Sequence, residues 1–342
     1  MRCFVTGASG FIGSNLVREL LARGHCVKAV LRPNSDGRGL SGLKFDRVTG
    51  DLLDRRLIER EMAGCNWCFH VAANYRLWMP NYAPMYQANV EGTRNVLEAA
   101  GQVGCEKIIH TSTVGCIGQP KEVSGKIIPA TESNIVSDAH LTCDYKRSKF
   151  LAESLAVELF QKKGLPVVIV NPSAPIGPND GKPTPTGQII VDFLNRRLPA
   201  YLDTGLNWVH VRDVAVGHIL AAEKGQLGSR YILGNQHGNW TMQQTLVALE
   251  KTTGLSASKR KLPYWLALRI AEISEGIACF TGKAPRATLA GVRLARYKMW
   301  FDSGKAIREL GLPQTPPEQA FAEAVNWFCA NGYVKKQNSF QF

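Results

Sequence analysis

No segment of the 342-residue chain holds the ~18 or more uncharged apolar residues that a membrane-spanning helix needs. The first residues lack the basic region, apolar stretch and small-residue cleavage site of a secretory signal. A cytoplasmic protein is the expectation. Acidic residues are scarce: 28 Asp and Glu against 41 Lys and Arg leave a net charge of +13. Such an excess suits nucleic acid, an anionic membrane surface or phosphorylated ligands. It is not gathered into one block, which argues for a solvated basic surface and against a nucleic-acid arm. There is no internal repeat and no low-complexity tract. The nine cysteines are an odd number, which argues against a disulfide framework. Cys65 and Cys68 form a CxxC ("CNWC"). It reads either as a redox or metal pair or as two small residues entering a strand. No second cysteine pair completes a zinc site, and no metal is expected.

Hydrophobic residues make up 45% of the chain and charged residues 20%, the balance of a soluble globular enzyme. The length suits about two domains. In the first half, short apolar runs alternate with helical patterns. "CFVTG", "CVKAVLR", "FDRVTGD", "WCFHVAA", "KIIHTST" and "LPVVIVNP" read as strands. "SNLVRELLARG", "RLIEREMAG", "VEGTRNVLEAAGQVG" and "SKFLAESLAVELFQKKG" carry apolar residues at helical spacing. This alternation predicts an α/β fold with a doubly wound parallel sheet. From about residue 173 the order breaks into a Pro- and Gly-rich segment, "NPSAPIGPNDGKPTPTGQ". Extended pieces follow at "NWVHVRDV" and "SRYILGN". "LPYWLALRIAEISEGIACF" is apolar enough for a membrane-surface helix, but Arg269, Glu272 and Glu275 interrupt it. A helix packed on the core is the expectation there.

Gly7, Gly10 and Gly13 follow the first strand and open the first helix. In that context the spacing points to a dinucleotide cradle, with phosphates on the free N–H groups of a helix N-terminus. The second strand ends at Arg32, where a cofactor with a free ribose 2′-hydroxyl usually meets an acid. A guanidinium suits a 2′-phosphate, so NADP(H) is the preferred cofactor and NAD(H) the alternative; a plain surface arginine is the other reading. Asp51 in "TGDLLD" is placed for the adenine edge beside Leu52, or to cap the next helix. Tyr145 and Lys149 lie four apart on one helical face. An ammonium beside a phenol lowers its pKa and makes it a usable acid–base for hydride chemistry. Thr111, Ser112 and Thr113 offer hydroxyls at a strand end that can bond the reacting oxygen.

"TGASGFIG", "GDL", "HVAA", "NVEGTRNVLEAA", "TSTVGCIG", "YKRSK" and "VHVRDVA" together resemble the extended short-chain dehydrogenase/reductases. "HVAANYRLW", "YLDTGLNWVHVRDVAVGHILAAEKGQLGSRYILG" and "KMWFDSGKAIRELG" are similar to hopanoid-associated sugar epimerases, and the chain also resembles dihydroflavonol 4-reductases. The resemblance implies an NAD(P)-binding Rossmann domain over 1–172, rejoined by about 206–235. A smaller C-terminal α/β substrate domain would fill most of 173–335, with a polar tail at 336–342. It implies a catalytic set of Thr113, Tyr145 and Lys149, with Ser112 a weaker candidate. Cofactor contacts map onto Gly7, Gly10, Phe11, Ile12, Gly13, Arg32, Asp51, Leu52, Ala72, Ala73, Tyr145, Lys149 and Pro172. Asn89 matches a structural asparagine, and His210 is expected to order the substrate domain.

Tyr75, Arg76 and Trp78 follow the fourth strand. They are candidates to stack on a sugar or flat ring and to meet a phosphate, or they form a lid packed on its own protein. The implied function is that of a nucleotide-sugar epimerase or dehydratase acting by hydride transfer, with a hopanoid-associated substrate fitting the likeness. The alternative is an NADPH-dependent carbonyl reductase of the dihydroflavonol 4-reductase type. A non-catalytic dinucleotide sensor would have no need of the Tyr145–Lys149 pair. The expected partner is a small molecule, not nucleic acid, and relatives often form homodimers.

Overall fold

The computed structural model describes residues 1–334, so the tail at 336–342 lies outside the described residues. Its strands are β1 (Arg2–Thr6), β2 (Cys26–Leu31), β3 (Asp46–Thr49), β4 (Trp67–His70), β5 (Lys107–Thr111), β6 (Lys121–Val123) and β7 (Lys126–Ile128). They continue with β8 (Val167–Pro172), β9 (Ala174–Ile176), β10 (Gly205–His210), β11 (Arg230–Leu233), β12 (Asn239–Thr241) and β13 (Lys298–Met299). Seven form one parallel sheet in the order β11-β8-β5-β4-β1-β2-β3. The order reverses at β1, so the chain leaves β1 and β4 in opposite directions. That opens a crevice at their carboxyl ends.

The helices are α1 (Phe11–Ala22), α2 (Arg55–Met62), α3 (Ala83–Tyr86), α4 (Gly92–Gln102), α5 (Asp144–Lys163) and α6 (Pro185–Leu194). Then come α7 (Val211–Lys224), α8 (Met242–Thr253), α9 (Tyr264–Thr281), α10 (Leu289–Leu294), α11 (Gly304–Leu310) and α12 (Pro317–Ala330). On one face of the large sheet, Leu16, Val17 and Leu20 of α1 join Val214 and Ile219 of α7 over Val5, Ala29 and Phe69. On the other, Ile58, Met62, Val96, Leu97, Leu155 and Leu159 from α2, α4 and α5 pack on Phe4, Ile108 and Ile169. Coverage on both faces explains why β4 and β8 are buried at every residue and read as continuous apolar runs.

The second sheet is small. β10 pairs in parallel with β9 and β13 and antiparallel with β12. Trp208, Leu246, Phe321 and Phe328 form its core with α6, α8 and α12. The return of the chain to the large sheet therefore begins with α7 and ends with β11, whereas β10 belongs to the small sheet. The reason is local. β10 continues beside β9, which directly follows β8, and it never reaches a free edge of the large sheet. The strands β6, β7, β9, β12 and β13, two or three residues each, have no sequence signature long enough for a period of two.

The helix α9 departs from expectation. It buries Ala267, Ala271 and Ala278 and leaves most of its large apolar side chains in solvent. No helix among the described residues is long and apolar enough to cross a membrane.

Candidate functional site

The site is built at the carboxyl ends of β1, β4, β5 and β8. Gly7 leaves β1 with φ +73°, and a Cβ there would lie 2.5 Å from the backbone N of Ala72. A Cβ on Gly13 would lie 2.1 Å from the carbonyl oxygen of Gly7. Both positions therefore exclude side chains. Gly10 caps α1 without a side chain, so the first N–H groups of the helix stay unbonded by any cap. Phe11 is buried and Ile12 partly buried, which anchors the helix start to the core. Ala72 and Ala73 form the opposite lip, and the Ala72 N–H donates to Thr6 Oγ1 at 3.3 Å. A turn that admits no Cβ, feeding an open helix N-terminus, fits a dinucleotide pyrophosphate.

The far end of the crevice carries Arg32, exposed, with no ion pair among the described residues. Four residues on, Asp36 is taken up by Arg38, whose guanidinium donates to both its oxygens at 2.6–3.1 Å. Those bonds hold the Asp36 carboxyl below its usual range. Asp51 accepts the Leu53 N–H at 2.9 Å, while Asp54 caps α2. The capping alternative for Asp51 is thus filled by its neighbour. Leu52 lines this end against Gly92, with its carbonyl held by Asn95 at 3.0 Å.

The chemistry-bearing groups stand at the other end. Thr113 caps a short turn. Its Oγ1 accepts the Gly115 N–H at 3.1 Å, and the same hydroxyl acts on the Tyr145 phenol, favouring its ionised form. Ser112 is buried and faces the Cys116 thiol instead. Lys149 is buried and donates to the Thr111 carbonyl at 2.7 Å. Burial brings Lys149 down to about 8, opposed by the neighbouring Cys116 and Glu153 side chains. Burial pushes the Tyr145 phenol well above 10, opposed only by the Thr113 bond. The lowering expected from a neighbouring ammonium is absent: Lys149 spends its charge on a backbone carbonyl, and desolvation of the phenol prevails.

Polar residues that the sequence reading passed over surround this centre. His70 and His110, in register on β4 and β5, stack with ring centroids 5.5 Å apart. Nδ1 of His70 is 2.8 Å from Thr6 Oγ1, and Nε2 is 2.9 Å from Thr93 Oγ1. Burial, then the Lys149 charge, brings His70 down to about 3 and His110 well below its usual value, so both are neutral. Asn171 donates to the Thr113 carbonyl at 3.0 Å and to Glu153 at 2.8 Å; Arg230 closes the chain on Glu153 at 3.1 Å. The available signal was a polar residue inside an otherwise apolar strand: "WCFH", "KIIHT" and "VVIVNP".

The substrate side is less tightly drawn. Tyr75 meets Tyr145 edge to face, with centroids 4.4 Å apart, and is 45% exposed. Arg76 is exposed and Trp78 half-buried in the same loop, and neither touches the phenol by any hydrogen bond or ring contact. The loop is tied down by Asn89, which accepts the Asn74 N–H at 2.6 Å and donates to the Asn74 carbonyl and to Ser148. Asn89 sits in a single wide π turn, Gln87–Glu91, between α3 and α4. Pro172 is buried at the end of β8, opposite Leu233. His210 caps α7 and donates from Nε2 to Glu323 of α12 at 2.9 Å, so it ties the small sheet to its helix. Cys65 and Cys68 are both buried with thiols raised by burial, and no three His, Cys, Asp or Glu among the described residues are grouped to hold a metal.

Comparison with known proteins agrees with this architecture. Residues 3–234 match the "NAD dependent epimerase/dehydratase family". The chain is 46% identical over 338 residues to "Putative dihydroflavonol 4-reductase" of Synechocystis sp., covering 98% of this chain and 96% of the other. It is 36% identical to "Sterol demethylase protein B" of Methylococcus capsulatus, covering 98% and 100%. The solved structure of gox2253 superposes with a TM-score of 0.85 at 41% identity, covering 97% of this chain and 99% of the other. The family match spans more than half of the chain and the relatives span nearly all of it. The protein therefore belongs to the NAD-dependent epimerase/dehydratase family and is an NAD(P)-dependent enzyme of the extended short-chain dehydrogenase/reductase type.

Proposed function

We propose that this enzyme is an NADPH-consuming reductase that converts a ketone or aldehyde on an apolar, ring-bearing substrate to the alcohol. The observation that carries the reading is the second-strand terminus. Arg32 is exposed and forms no ion pair among the described residues, while Asp36, four residues on, is held by Arg38. Directly after the second strand stands a guanidinium where an acid would meet a ribose 2′-hydroxyl, and it suits a 2′-phosphate. The bound nicotinamide would supply hydride to the carbonyl carbon. Tyr145 Oη donates the proton to the carbonyl oxygen, and a phenol held well above 10 is present in its acid form at neutral pH. Thr113 fixes the phenol through its hydroxyl. Lys149 braces the strand end at Thr111 and would hold the nicotinamide ribose of a bound cofactor. Tyr75, packed against Tyr145, provides a flat wall for a ring. The names of the 46% and 36% identical relatives support a non-nucleotide substrate.

The second reading, a nucleotide-sugar epimerase or dehydratase that recycles its hydride, is favoured by the description of the matching family. The two separate cleanly. Freshly purified protein is denatured and any released dinucleotide identified by mass spectrometry. Titration with NADPH and NADH follows, on wild type and Arg32→Ala. The reductase reading expects little retained cofactor and tighter NADPH binding, with the preference falling about 10- to 100-fold in Arg32→Ala. Near-stoichiometric retained NAD, with sugar epimers interconverted and no net NADPH oxidation, would overturn it.

A further inference from the structure

The fold leaves one long apolar face uncovered. Along α9, Trp265, Ile270, Ile273, Ile277 and Phe280 are 66%, 45%, 65%, 58% and 95% exposed. At 100° per residue they share one side of the helix. The opposite side, through Ala267 and Ala271, packs on Val292 of α10. Single exposed apolar residues are ordinary, but a contiguous stripe of five marks a contact surface.

The charge around the stripe says what the contact is. Residues 256–300 hold nine Lys or Arg against two Glu, an excess of seven in a chain of net charge +13. Both acids are engaged: Glu272 accepts from Arg269, and Glu275 accepts the Leu289 N–H. Lys259 and Arg260 precede the helix and Lys283 and Arg286 follow it, with no ion pair formed by these four among the described residues. Aromatic residues near both ends, isoleucines between them and cations at the flanks are the composition of a helix that lies in a lipid interface.

We propose that α9 docks this enzyme on an anionic lipid surface, with the stripe in the acyl boundary and the flanking cations on the headgroups. A second copy is the poorer occupant, because two such faces would bring like-charged rims together. A Cβ on Gly291 of α10 would come within 3.7 Å of Leu77, so the helix that carries the buried side of α9 also borders the loop of Tyr75. The docking itself does not depend on the direction of the redox reaction.

The test is vesicle flotation of the full chain, with phosphatidylcholine alone and with phosphatidylglycerol added. Binding is expected only with the anionic lipid and is expected to weaken as salt rises. Ile273→Glu with Phe280→Glu should lower partitioning at least ~10-fold while NADPH affinity and melting temperature hold. Should that variant fold poorly, quenching by brominated lipid, read as the difference between wild type and Trp265→Phe, reports insertion on nearly native protein. Three results would overturn the proposal: no binding to anionic vesicles, no lipid quenching of Trp265, or a wild-type dimer in light scattering that the double variant dissolves.

Discussion

Alanine at position 13 should unfold the cradle from within, whereas alanine at position 10 should leave the fold intact and spoil only the ligand. A methyl on Gly13 would sit 2.1 Å from the Gly7 oxygen, 2.7 Å from its carbonyl carbon and 2.9 Å from Ala8 Cα. Ordinary contact begins near 3.4 Å, so the overlap exceeds 1 Å against backbone that has no rotamer to move into. α1 must withdraw from the β1 turn, and with it Leu16, Val17 and Leu20 lift from the core. The cost lies at the upper end of overpacking, about 3 kcal/mol, which lowers the melting temperature by about 5 °C.

Gly10 differs. Its φ of −79° suits any residue, and a Cβ there meets only the Gly7 oxygen at 3.2 Å. Alanine at this cap should cost about 0.5–1 kcal/mol of stability. Its methyl faces the mouth of the cradle, so NADPH affinity should fall at least ~10-fold. Thermal melts and fluorescence titration with NADPH, run on both variants, separate the effects. The reasoning is refuted if Gly13→Ala melts with wild type, or if Gly10→Ala binds NADPH unchanged.

Thr113→Val, which keeps the shape and removes the hydroxyl, should cut turnover about 10- to 100-fold, and Thr113→Ser should restore most of it; equal activity of the valine variant would remove Thr113 from the site. Glu153→Gln breaks the charged link between Arg230 and Asn171, costs about 2 kcal/mol and lowers kcat more than it raises the KM for NADPH, as expected of a group that acts through the Thr113 carbonyl and the Lys149 charge. His70 is about 3 in the folded state and near 6.5 unfolded, so between those values the unfolded chain binds more protons and stability falls as pH falls. Denaturant melts across that window should show up to about 5 kcal/mol of acid loss in wild type that is missing from His70→Asn; parallel curves would contradict a neutral buried His70.

Much of this was legible beforehand because the large sheet obeys strong local rules. β1, β2, β4, β5 and β8 are apolar runs flanked by helices of clear period, and the three glycines mark their own steric need. The small sheet was not legible, because β12 and β13 owe their pairing to β10, far away in the chain. Tyr145 and Lys149 were found by their spacing on α5. Their electrostatics were not, because the phenol's environment is set by β4, β5 and the Tyr75 loop and not by its helix neighbour. The helix α9 is a related case: its apolar content does not tell which side is covered, and in the structure its alanine side packs on α10 while Trp265, Ile273, Ile277 and Phe280 stay exposed.

The polar residues inside the buried strands give the centre its character. Lys149 enters a region where each strand end offers a neutral group: the Thr111 carbonyl, the His70 and His110 rings and the Asn171 amide. A carboxylate in direct contact would have held the lysine charged and raised its pKa. Here Glu153 is engaged by Asn171 and Arg230 and acts on Lys149 as a charge without a hydrogen bond between them. The ammonium therefore falls to about 8, and the phenol remains an acid. A site arranged this way gives up a proton readily only to an oxygen that is gaining negative charge beside it. Under the proposed reading, carbonyl reduction makes that demand, and the neutral histidines keep a further positive charge away from Lys149 and the phenol.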